Sequence, residues 1–149
     1  MVRVNGIWAP CKNFQFDDLE FLREALTFVS SYSLAIEENA SIGIWAFMLS
    51  KYFSKVYAFE EDQKEFTCLR RNLFTRLNAM PIYGSLDDHV KMTDGLGFIK
   101  LQTKEALEAW EEIIKEHCPV VYVKDIEPGW LRECKEVATF GNDHVFIVN

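Results

Sequence analysis

SLAIEENASIGIWAFMLSKYFSKVYAFEED, residues 33–62, runs from a short apolar segment into a polar turn, then a long apolar stretch, then a second apolar segment capped by acids. SLAI, Ser33 to Ile36, reads as a short buried strand, and the ten residues Ile44 to Phe53 are long and apolar enough for a helix laid on a sheet. Lys55 to Phe59 form the next strand, ended by Glu60, Glu61 and Asp62. A strand, a crossover helix and a second strand are the unit of a parallel sheet.

The same alternation extends in both directions. Upstream, Asp17 and Glu20 flank a helix start, and Leu19, Leu22, Leu26 and Val29 recur at helical spacing, which predicts a first helix ending near Ser30. Downstream, Asp62 and Glu65 have the spacing of a capping pair. Behind them Phe66, Leu69, Leu73 and Leu77 line one face of a second long helix. AMPIY (79–83) is a weak strand, residues 84–97 a loop, LGFIKL (96–101) a strong strand and KEALEAWEEIIKEH (104–117) one continuous helix. PVVYVK (119–124) is a further strand, GWLRECKEV (129–137) is helix-like, and HVFIV (144–148) is a single terminal strand. Several strands are apolar throughout instead of alternating, as expected when both faces of a sheet are covered. The expected fold is therefore α/β: a doubly wound, mostly parallel, Rossmann-like sheet of about six strands with helices on both faces.

The 149 residues, 49% of them hydrophobic, suffice for one buried core, and one domain spanning residues 1–149 is expected. Sixteen basic against twenty-three acidic residues leave a net charge of −7, so no general attraction to nucleic acid or an anionic membrane is expected. Lys64, Arg70, Arg71 and Arg76, all on the second long helix, are the best candidates for a local basic patch, against the plainer reading of a solvated helix face. Cys11, Cys68, Cys118 and Cys134 lack metal-ligand or redox spacing and read as reduced thiols of a cytoplasmic protein. No apolar run reaches the length of a membrane span, so a soluble, unprocessed chain is expected.

In a parallel sheet ligands sit beyond the C-terminal strand ends, so candidate residues are sought there. The turn after the first strand of the quoted unit reads Glu37-Glu38-Asn39-Ala40-Ser41-Ile42-Gly43. Gly43 would let backbone and helix N-terminus approach a ligand closely, and Asn39 tolerates a left-handed backbone but adds a side chain. Glu60, at the next strand's tip, suits either the hydroxyls of a ribose or the dipole of the helix that follows; Glu61 and Asp62 suit the dipole. Asp87, Asp88 and His89 form a polar loop that suits a base or a metal, but no second cluster has the spacing to complete a metal site. His117 suits a helix C-terminus, and His144 a strand start. Trp8, Phe14, Phe16 and Trp130 are read as core, with an exposed partner patch as the alternative.

IGIWAFMLSKYFSKVYAFEED followed by LRRNL, and later GFIKLQTKEALEAWEEIIKEHCPVVYVK, together resemble the FkbM-type methyltransferases, which use S-adenosylmethionine. NGIWAP resembles the lead-in of some members. The resemblance implies a class I methyltransferase fold, with the cofactor held around Glu37, Asn39, Gly43, Glu60 and Gln102. It also marks departures. The family's first glycine falls on Asn39, and its Lys-Ile-Asp-x-Glu-Gly segment becomes Lys100-Leu101-Gln102-Thr103-Lys104-Glu105. The acid that can follow the family's fifth strand falls on Lys124, beside Asp125. An amide cannot titrate, and a lysine would reverse the local charge. Only about a dozen residues separate AMPIY from LGFIKL, shorter than the family's stretch, so the chain resembles a reduced member of a kind that would suit a viral genome. The expectation is a degenerate methyltransferase-like protein, without catalytic residues or metal, acting by binding itself or a protein partner. The alternative is an active O-methyltransferase for a small-molecule or sugar hydroxyl, using S-adenosylmethionine.

Overall fold

A computed structural model of the chain describes residues 1–86 and 94–148. The opening residues form an antiparallel hairpin, β1 (Val2–Val4) and β2 (Ile7–Ala9). Its two connecting residues, Asn5 and Gly6, both have a left-handed backbone (φ 50° and 84°), which matches the twist of a two-residue hairpin. The elements α1 (Glu20–Leu26), β3 (Leu34–Glu37), α2 (Ile44–Tyr52), β4 (Lys55–Glu60), α3 (Gln63–Asn72) and β5 (Ala79–Tyr83) follow. After them come β6 (Leu96–Leu101), α4 (Lys104–Ala109), α5 (Glu111–His117), β7 (Val120–Val123), a 3-10 turn (Gly129–Glu133), β8 (Lys135–Phe140) and β9 (Asp143–Ile147).

The main sheet has seven strands in the order β5-β4-β3-β6-β7-β9-β8. The first five of these run parallel, whereas β9 pairs antiparallel with β7 and with β8. From β3 the chain moves outward to β4 and β5, then returns to β6 on the other side, so the order reverses between β3 and β6. Helices α1, α2 and α3 supply the core on one face, around Leu22, Trp45, Leu49 and Leu69. Helices α4 and α5 and the 3-10 turn supply the other, around Leu107, Trp110, Ile114 and Leu131. Every residue of β3, β6 and β7 is buried, which is why those segments read as apolar runs, interrupted by Glu37 in β3 and Lys100 in β6.

Four expectations about elements are corrected. The sheet ends in a hairpin, not a single strand: KEVATF is an edge strand with exposed Lys135 and Glu136, while Val137, Ala138 and Phe140 pack on the core. The helix-like reading shrinks to the 3-10 turn, because the chain becomes extended at Cys134. The helix expected over 104–117 is broken at Trp110, whose buried indole donates Nε1–H to the carbonyl of Leu86 at 3.1 Å. The helix expected to reach Leu77 stops at Asn72, leaving Leu77 99% exposed.

Asn72 is also a clamp. Its side chain accepts from Trp8 N–H (2.8 Å) and donates to the carbonyls of Trp8 (2.9 Å) and Ile42 (2.7 Å). It thereby fastens the β1–β2 hairpin to the turn after β3, beside a small apolar cluster of Ala9, Ile42 and Cys68.

Candidate functional site

The turn between β3 and α2 has one backbone feature that decides its shape. Asn39 (φ 51°), Ser41 (φ 56°) and Gly43 (φ 95°), every second residue, are left-handed. Glycine takes that region freely, and other residues pay about 1–2 kcal/mol, with Asn paying less. The turn thus keeps a glycine-type course with a glycine at only one of its three left-handed positions. Ala40 N–H donates to the carbonyl of Phe59 (2.8 Å) and Gly43 N–H to that of Ala40 (3.0 Å), which fix the loop against β4. At Gly43 a β-carbon would lie 2.8 Å from Leu69 Cδ1, so this glycine also lets α3 close on the start of α2. Ile42 is buried with Ala9 and Cys68, away from the strand tips.

Glu60 ends β4 and is 6% exposed. Its Oε1 accepts from Ser41 N–H (2.8 Å) and its Oε2 from Asp62 N–H (2.7 Å), so the carboxylate ties the turn to the start of α3. Each oxygen keeps a second lone pair for a ligand hydroxyl. Asp62 caps α3, accepting from Glu65 N–H at 2.9 Å. The return bond of a capping pair is not made: Glu65 accepts instead from Ser41 Oγ–H at 2.6 Å. Burial raises the Glu65 carboxyl pKa against the pull of that hydroxyl. Ser41 therefore binds two acids, and its place, midway between Asn39 and Gly43, was the signal in the sequence that it belongs to the same motif.

Beside the reversal point lies a buried charge cluster. Lys100 on β6 is 1% exposed, and its Nζ lies 3.4 Å from Glu37 Oε2 and donates to the carbonyl of Asn39 at 3.0 Å. It also lies 5.6 Å from the centroid of the Trp45 ring. Glu37 Oε1 has no hydrogen-bond partner among the described residues, and burial pushes the Glu37 carboxyl up to about 7 despite the attraction of Lys100. Trp45 is shared: Lys124 lies 5.7 Å from its centroid and pairs with Asp17 at 3.3 Å. The indole Nε1–H donates to Asp18 O at 2.8 Å, holding the segment before α1 nearby.

Glu38, the next acid, turns toward β6. It accepts from the backbone N–H groups of Gln102 and Thr103 (2.8 Å for the latter) and from Thr103 Oγ–H (2.6 Å). Burial raises its carboxyl pKa, opposed by those donors. Thr103 in turn caps α4 through its Oγ. Gln102 thus meets Glu38 through its backbone, and its side-chain Oε1 is buried with no partner among the described residues. Lys104 does not reverse the charge at this strand end: it lies on α4, 79% exposed, paired with Glu108 at 3.8 Å. Glu105 is likewise on the exposed side of α4. Of the residues expected from sequence, Glu37, Asn39, Gly43, Glu60 and Gln102 all fall at the ends of β3, β4 and β6 or on the turn. Glu38, Ser41 and Lys100 were missed; a lysine within the otherwise apolar LGFIKL already demands a buried partner.

The other candidates have structural places. His117 ends α5, and His144 at the start of β9 lies 2.6 Å from Glu136 Oε1. Trp8, Phe14 and Phe16 pack on the small apolar cluster while Trp130 packs on the opposite face of the sheet, so the four form no common patch. Asp87, Asp88 and His89 lie outside the described residues. Among the described residues no group of metal-ligating side chains is assembled, and no helix is long and apolar enough to cross a membrane. The four cysteines are free.

No protein-family model matches the sequence, and no curated protein matches it at a significant level. Solved structures do. An RNA methyltransferase from Salinibacter ruber in complex with S-adenosyl-L-homocysteine superposes with a TM-score of 0.67 at 13% identity, over 90% of this chain and 92% of that one. A putative methyltransferase from Escherichia coli gives 0.66 at 15% identity, over 87% and 83%. A putative methyltransferase from Streptococcus mutans, in complex with SAH, gives 0.66 at 15% identity, over 89% and 97%. At such identities the likeness establishes architecture and not activity. The chain has the Rossmann-like fold of the class I S-adenosylmethionine-dependent methyltransferases.

Proposed function

We propose that this chain is a degenerate, FkbM-like methyltransferase-fold protein that keeps a cradle for the nucleoside end of S-adenosylmethionine, has lost methyl transfer, and acts by binding a macromolecular partner or itself. The observation that carries this reading is the engagement of the acids around the reversal point. Glu37 faces the buried Lys100, Glu38 accepts the N–H groups that start α4, and the β6 tip presents the amide of Gln102. A general base needs a titratable group free to reach the acceptor's proton, and these groups are not.

The cradle rests on different residues. The left-handed alternation of Asn39, Ser41 and Gly43 preserves the turn, and Glu60 holds that turn with lone pairs to spare. A bound cofactor would supply an electrophilic methyl group on its sulfonium; the residues that would hold it are Asn39, Ser41, Gly43 and Glu60. Its amino-acid end fits less well, because Lys100 already places a cation beside Glu37. The alternative, an active O-methyltransferase on a small-molecule or sugar hydroxyl, draws on Glu37, whose pKa of about 7 suits a base but which would need Lys100 to move away.

Calorimetric titration with S-adenosylhomocysteine and with adenosine, on the parent chain and on Glu60→Ala, tests the cradle. The expected result is similar affinity for both ligands, in the micromolar range of about 8 kcal/mol, lost in the variant. No binding at millimolar ligand would remove the cradle. Incubation with methyl-labelled S-adenosylmethionine and a cell extract tests transfer: incorporated label that depends on Glu60 would establish the enzyme and overturn the loss of chemistry.

A further inference from the structure

The face built from the β1–β2 hairpin and α3 has a charge opposite to that of the whole chain. A depression of about 480 Å³ and another of about 420 Å³ share Trp8 and Arg71 as a common wall, and so form one furrow. A third, of about 230 Å³, continues it past Thr67 to Lys64. Lys64, Thr67 and Arg71 are spaced three and four residues apart, on one face of α3. Arg70 lines the middle depression and Arg3 of the hairpin the second. No acid lines any of the three, and none of these four cations is in an ion pair among the described residues. Arg76 is different: it bonds Ser50 Oγ and O at 2.8 and 3.0 Å and serves the end of α2.

Rings interleave with the charges. The guanidinium carbons of Arg71 and Arg3 lie 4.8 and 5.6 Å from the centroid of the half-buried Trp8 ring, and Phe74 on the same wall is 82% exposed. Cations alone suit any polyanion. Cations interleaved with a half-buried ring, Trp8, and a largely exposed one, Phe74, suit a chain whose charges alternate with flat, unpaired bases. A peptide of acids alone makes no use of Phe74, and a duplex keeps its bases stacked inside. We propose that this furrow binds single-stranded nucleic acid, with Lys64, Arg70, Arg71 and Arg3 taking phosphates and Phe74 and Trp8 taking bases. The net charge of −7 gives no general attraction, so binding is confined to this face.

The test is fluorescence anisotropy of a labelled oligouridine of about ten nucleotides, titrated with the full chain at several salt concentrations. Four phosphates neutralised on a single strand predict a slope of log affinity against log salt of about −3, and Arg71→Ala should reduce it by about 0.7. Phe74→Ala should weaken binding about tenfold at an unchanged slope, since stacking is not ionic. Arg70→Ala provides a second variant at a solvent-exposed position, and unchanged melting temperatures show that the variants are folded. The proposal is overturned by no binding at about 100 µM protein in low salt. It is equally overturned if Phe74→Ala binds like the parent, or if polyglutamate displaces the oligonucleotide as well, per charge, as unlabelled oligouridine does. The last two results would assign the face to acidic polymers at large.

Discussion

Replacing Lys100 by methionine removes the cation 3.4 Å from Glu37 Oε2 while keeping an unbranched side chain of similar length in a 1%-exposed site. In the parent, burial holds the Glu37 carboxyl at about 7 in spite of Lys100. Without that attraction the carboxyl pKa rises further, so native Lys100→Met keeps Glu37 protonated to a higher pH than the parent does. A carboxyl raised above its unfolded value of 4.5 stabilises the fold at low pH and loses that contribution as pH climbs through the folded value. In the parent the loss slows above about 7, where native Glu37 has itself ionised. In the variant it continues at about 1.4 kcal/mol per pH unit, the full slope for one proton. Between pH 6 and 8 the parent sheds roughly 1.4 kcal/mol and the variant up to roughly 2.7 kcal/mol, so the gap between them widens by up to about 1.4 kcal/mol. For a chain of this size that is an extra difference in Tm of about 3–6 °C. Thermal melts followed by circular dichroism at pH 6, 7 and 8 measure it, with Lys100→Met/Glu37→Gln as the reference that should show no such widening. A gap that is constant with pH, or smaller at pH 8 than at pH 6, would refute the account of this pair.

Two further outcomes follow from backbone geometry. Gly97→Ala would place a β-carbon 1.8 Å from the carbonyl oxygen of Ser31, which is backbone and cannot turn aside, so a loss of at least about 4 kcal/mol in urea denaturation, or failure to fold, is expected. Asn39→Gly relieves a left-handed residue while leaving the Lys100 bond to its carbonyl in place. Stability should change by no more than about 1 kcal/mol, and affinity for S-adenosylhomocysteine should rise; weaker binding would show that the Asn39 side chain assists the ligand.

The core of the fold was legible because β3, β6 and β7 are buried on both sides and α2 packs broadly on the sheet, so composition and length report burial directly. The edges were not. KEVATF has polar residues toward solvent and only three apolar residues inward, a pattern that charge made look helical. Its turn, Gly141-Asn142, and the Asn5-Gly6 pair of the first hairpin were nonetheless two-residue hairpin signals in plain view. At the site, the positions read off strand ends do lie at the ends of β3, β4 and β6 or on the turn after β3, since the strand boundaries were legible. Partners were not legible. Glu38 finds the start of α4 across 64 residues of sequence, and Lys100 finds Glu37 across 63. Lys104 misled because a motif register ignores where a helix begins: Thr103 caps α4, and Lys104 and Glu105 fall on its solvent side while Ala106 and Leu107 turn inward.

Asn72 makes the hairpin and the turn a single thermodynamic object. One amide holds Trp8 by both backbone groups and Ile42 by its carbonyl, so a shift of the hairpin draws on the same bonds that seat the turn between Asn39 and Gly43. Linkage then runs both ways. A strand lying along Trp8 and a nucleoside beside Glu60 would each alter the other's affinity by one common factor, and Asn72 is where that factor would be set.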